Sequence, residues 1–168
     1  MPLKLVDSIN FSAIRGQWAA QCKEFGEEID SFATISMEHA SKIVEEGSGN
    51  QDYSIYSALM DGNHECILHV NKARLPKSDG ITHRIMWVLL APKYDYSTID
   101  ANQVAKVASE VVLGAIDLCR EESSQHVKIH IGNLGDREFF AGVANALRSF
   151  GTLKEVDFRG NWLHISLA

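Results

Sequence analysis

The longest stretch of regular apolar spacing constrains everything around it. Val104, Val107, Ala108, Val111, Ala115, Leu118 and Cys119 recur with a 3.6-residue period. That places them on one helix face, which a folded chain must bury against another layer. Asp100 or Thr98 stands where an N-cap belongs. On both sides of this helix the pattern changes to that of strands. Residues 81–91 contain the run Ile85-Met86-Trp87-Val88-Leu89-Leu90, which predicts a strand buried on both faces. Val127, Ile129 and Ile131 alternate strictly, so His126, Lys128 and His130 share the opposite face.

The remaining elements come from the same two periods. Residues 3–8 suit a short first strand. Phe11, Ile14, Trp18, Cys22, Phe25 and Ile29 build one stripe of a helix over 11–29. A second helix is expected over 31–44 and a breaker-rich loop over 46–50. Residues 53–60 alternate, Asp61-Gly62 supplies a hairpin turn, and 66–75 return as a strand that ends at the break over 76–80. A helix over 136–150 stops at Gly151. Val156 and Phe158, the turn at Gly160-Asn161, and Leu163, Ile165 and Leu167 form a closing hairpin. The order is β-α-α-β-β-β-α-β-α-β-β. It predicts one α+β domain over 1–168, with a mixed, mainly antiparallel sheet.

Composition narrows the function. With 168 residues, 45% of them apolar, the chain can bury a core without staples. A formal net charge of −6 argues against nucleic acid and against an anionic membrane surface. Cys22, Cys66 and Cys119 form no CxxC pair, so free thiols in a reducing, cytoplasmic setting are expected. His64, Cys66 and His69 do not share one strand face, and no metal site is expected.

Two stretches carry a family resemblance. In 91–100, Pro92, Tyr94 and Ile99 fit a pattern in which Pro and two residues precede an Arg-Gly-x-Gly-Ile-Gly loop and a helix. In 133–140, Asn133, Phe139 and Phe140 fit Asn, two residues, Ala, two residues, Phe-Tyr, with Asp136 in the small-residue place. Together with the element order, these resemble the GNAT family of N-acetyltransferases over nearly the whole chain. The resemblance implies acetyl-CoA or another acyl-CoA, bound where the strand before the loop diverges from the next. It points to backbone groups of Leu89, Leu90 and Ala91 and hydroxyls of Ser97 and Thr98 as the cofactor contacts. It makes His130, Asn133 and His83 the polar candidates for a catalytic cleft.

The departures are physical. Tyr96, Thr98 and Asp100 occupy the glycine places, and Asp95 the arginine place, of a degenerate phosphate loop. Side chains there block the close approach of backbone N–H groups to phosphate. Phe140 replaces the tyrosine expected to protonate the departing thiolate, and a phenyl ring has no proton to give. The sequence therefore supports an acyl-CoA-dependent N-acetyltransferase acting on a small amine. The alternative is an inactive domain of the same fold, either binding a small ligand or pairing as a homodimer through the terminal hairpin.

Overall fold

The first helix starts and stops on chemistry that the sequence supplies. Asp7 caps α1 (Ser8–Glu24) by accepting the Asn10 N–H at 2.7 Å. Beyond it, Gly26 takes φ +75, a conformation that suits a residue without Cβ, and the helix ends short of the expected Ile29. Ile29 instead lies in a single 3-10 turn, Ile29–Ser31, before α2 (Thr34–Glu46). Our computed structural model describes residues 2–46, 52–76, 79–98, 101–132, 134–149 and 151–168. The expected loop residues 47–50, along with Ile99, Asp100, Asn133 and Phe150, lie outside that set.

Among the described residues, seven strands form one sheet. They are β1 (Leu3–Leu5), β2 (Tyr53–Met60), β3 (Asn63–Arg74), β4 (Ile81–Leu90), β5 (His126–His130), β6 (Leu153–Arg159) and β7 (Trp162–Leu167). Their order across the sheet is β1-β2-β3-β4-β5-β7-β6. Every neighbouring pair is antiparallel except β4 and β5. That parallel pair is connected through α3 (Lys93–Tyr96) and α4 (Ala101–Glu121), as a parallel crossover demands. The helix α5 (Leu134–Ser149) links β5 to β6. Asp61 at φ +50 and Gly62 at φ +80 form the turn between β2 and β3.

The sheet has a core on each face. Leu68, Val70, Ile85, Val127, Ile129 and Ile165 face the α4 stripe and α5. Ile55, Ile67 and Ala91 belong to the other core, with Ile14, Trp18, Met37 and Ala40 from α1 and α2. The Trp18 indole donates to the His64 carbonyl at 2.9 Å, which pins α1 to the start of β3. No β5, β6 or β7 residue belongs to this second core, so α1 and α2 cover only one half of their face.

Candidate functional site

The sheet splits at β4 and β5. Their pairing runs only from Thr82–His126 to Ile85–Ile129. On the other side β4 stays paired with β3 through Leu90, with one irregularity. Ile85 faces Val70 and Trp87 faces His69, so Met86 is an inserted residue without a partner in β3. Such a bulge twists the strand and re-aims the side chains beyond it. Past it, the edge of residues 86–90 that turns towards β5 has no strand partner among the described residues.

The split opens a cleft of about 560 Å³. Met86, Val88 and Leu90 line it from β4, Val104, Ala105 and Ala108 from α4, and Phe139 and Phe140 from α5. This corrects the expected burial of β4 on both faces: Val88 is 37% exposed because it faces the cleft. His130, at the end of β5, is the one titratable side chain among the described lining residues. Its ring lies 4.9 Å from that of Trp162, and the Arg84 guanidinium also sits 4.9 Å from the Trp162 ring.

The segment after β4 is not an open loop. The amides of Tyr94, Asp95, Tyr96 and Ser97 donate to carbonyls of Ala91, Pro92, Pro92 and Lys93. The Lys93 amide reaches Gln21 Oε1 at 3.3 Å. Five successive N–H groups are therefore already occupied. Lys93 Nζ lies 2.7 Å from the buried Glu65 carboxylate, and the Tyr94 hydroxyl donates to the same group at 2.5 Å. Burial first, then this hydrogen bond, pushes the Tyr94 phenol well above its usual range. Glu65 thus locks the short helix α3 onto β3.

No family model and no curated protein matches the sequence. Solved structures match by shape. A probable acetyltransferase from Staphylococcus epidermidis ATCC 12228 superposes with a TM-score of 0.56, over 99% of this chain and 98% of its own, at 13% identity. Another structure described as a probable acetyltransferase gives 0.55, over 95% of both chains, at 14% identity. A ribosomal-protein-alanine N-acetyltransferase from Brucella melitensis biovar Abortus 2308 gives 0.51, over 85% of this chain and 91% of its own, at 12% identity. The chain has the GNAT fold.

Within the GNAT fold, the cleft lies between the two strands to which the resemblance assigns the pantetheine arm. The structure brings His130 and Leu90 to this cleft. It separates the other sequence candidates. Leu89 packs into the α1/α2 core. The Ala91 amide donates to the Glu65 carbonyl, and its own carbonyl accepts from Tyr94, so both backbone groups are in use. The Ser97 hydroxyl is bound to the Lys93 carbonyl at 2.5 Å, while Thr98 is exposed.

His83 is not at the cleft entrance. It lies before the bulge and points to the α4 end, where Nε2 meets Glu122 at 2.9 Å. Lys72 completes the cluster at 2.6 Å from Glu122. Burial lowers the His83 pKa despite that carboxylate. Burial pushes Glu122 up, but the hydrogen bonds from Lys72 and His83 outweigh it and leave its pKa lowered. Sequence reasoning also missed the Arg84–Trp162–His130 stack, because no local pattern reveals that β5 pairs with β7.

Proposed function

We propose that the chain is a GNAT-type acyltransferase that holds an acyl-pantetheine arm in the β4/β5 cleft and transfers the acyl group to a small amine. The observation that carries this reading is the partnerless edge of residues 86–90, opening onto a cleft large enough for such an arm. An extended ligand with amides can pair with a free strand edge as another strand would. Acyl-CoA, when bound, would supply a thioester. Phe139 and Phe140 would keep water from it, and His130 would take the proton that the amine loses. Three buried, unpaired thiols fit a reducing cytoplasm.

The phosphate end of CoA fits less well. Amides 93–97 are engaged, and Lys93 is held by Glu65. Binding then rests on the arm, and acetyl-pantetheine should bind within several-fold of acetyl-CoA. The experiment is thermal melting with each ligand, followed by thiol release in the presence of an amine panel. At ~100-fold over Kd, either ligand should stabilise the protein by about 2.7 kcal/mol, a shift of a few degrees. His130→Ala should keep the shift and slow thiol release by roughly 10²-fold or more. No shift with either ligand would overturn the proposal.

The engaged loop and Phe140 favour a second reading, in which the cleft binds a non-phosphorylated ligand without transfer. A melting shift with acetyl-pantetheine and no thiol release with any amine would select it.

A further inference from the structure

The half of the sheet that α1 and α2 leave uncovered carries an unusual row of side chains. Strand registers place Arg84 beside Lys128, Lys128 beside His164, and His164 beside Asp157. The next row places His130 beside Trp162 and Trp162 beside Arg159. Register partners on adjacent strands are about 5 Å apart, and like charges placed there repel.

Arg84 and Lys128 are such a pair, and both are half-buried. Among the described residues, no carboxylate pairs with either one. Among those residues, Arg84 reaches Asn71 Oδ1, at 3.4 Å, and the Trp162 ring. The carboxylates on this side are engaged or peripheral. Glu155 holds Arg159, Asp79 holds the His126 ring, and exposed Asp157 accepts its neighbour's amide from Phe158. Beside Lys128, His164 is only 6% exposed, and its Nδ1 has no hydrogen-bond partner. The chain as a whole is acidic, yet here it sets together two cations that no described carboxylate pairs, next to an orphaned ring nitrogen.

We propose that this row is an anion site, that Arg84 and Lys128 hold a carboxylate or phosphate group, and that this group belongs to the acyl acceptor. The last step rests on the transfer reading above. His130 lies two residues beyond Lys128 on the same face of β5 and also lines the cleft. Two residues of strand span about 6.5 Å. An acceptor anchored at Arg84 and Lys128 would therefore present its amine to His130 if a short linker separates amine from anion. The site selects small amines that also carry a negative charge.

The test has two arms. In the first, inorganic phosphate and acetate are titrated into the protein while the Trp162 indole N–H resonance is followed, with chloride as the ionic-strength control. A saturable shift with one of the two anions is expected, and it says which anion the site takes. Lys128→Gln should weaken it at least tenfold and, by removing the like-charge pair, should not lower the Tm. Arg84→Gln is the second variant should Lys128→Gln misfold. No saturable shift with either anion overturns the proposal.

In the second arm, thiol release from acetyl-CoA is compared for ethanolamine, O-phosphoethanolamine and β-alanine. An anionic amine should be preferred at least tenfold, and Lys128→Gln should raise its KM with little change in kcat. Anion binding without thiol release from any amine would remove the transfer reading and leave the anion site standing. Equal release with ethanolamine, unaffected by Lys128→Gln, would sink the acceptor assignment while transfer stands.

Discussion

His69 is 5% exposed, and neither of its ring nitrogens has a hydrogen-bond partner. It sits among the rings of His39, Tyr53 and Trp87, at centroid separations of 5.2, 5.8 and 5.7 Å. Burial first, then His39, lowers its pKa to about 4. The unfolded chain would hold a proton on this residue up to the usual imidazole value near ~6.5. Its folded pKa is therefore depressed, and the unfolded state binds the extra proton between the two values. Stability is retained above pH ~6.5 and is lost as pH falls from there towards about 4, by up to ~3 kcal/mol. Burial lowers His64, His83 and His164 as well, so they act in the same direction. Denaturant melts across that interval should show the loss. His69→Phe should flatten part of the slope and stabilise the protein near pH 8, because it removes unpaired buried nitrogens. An unchanged slope would mean that His69 finds a partner in solution.

At the scale of elements, the face of α4 serves two purposes. Val107, Val111 and Ala115 close the core, while Val104, Ala105 and Ala108 form a wall of the cleft. Ala108→Phe should fill the cleft without emptying the core. It should abolish the acetyl-CoA or acetyl-pantetheine shift in melting and change the Tm of the free protein by only a few degrees. Retained binding would place the ligand elsewhere. The helix itself was plain in the sequence, because a long 3.6 period has no other reading, and the β2–β3 hairpin was equally plain from alternation and Asp61-Gly62. Two features were hidden for different reasons. The helical turn at 93–96 depends on Glu65, far away in sequence, which binds Lys93 and Tyr94. The apolar run of β4 looks like a core strand because an apolar cleft needs the same side chains as a core. His83 was misplaced for a third reason: it stands near the start of β4, beside Glu122 past the end of α4, whereas the cleft opens at the other end of the strand, beyond Ile85.

Taken whole, the molecule is two cohesive blocks of sheet. One comprises β1 to β4 under α1 and α2, and the other comprises β5, β7 and β6 against α5. Within each block the pairing is antiparallel, and hairpins join β2 to β3, β3 to β4 and β6 to β7. Along the sheet the blocks meet at the four register pairs of β4 and β5, above the core that both share beneath α4. Closing that joint requires the whole of α4 to be in place, so it carries a larger loop-closure cost than any of the hairpins. This makes the joint a seam. In hydrogen–deuterium exchange, the amides of β5 that face β4 should open together and earlier than those of β3, which hairpins join to both of its neighbours. A ligand lying in the cleft touches both blocks, as a stitch does, and should slow exchange along β5 without touching most of those amides. The rate at which the two halves part would then report occupancy of the cleft, even for a ligand that never reacts.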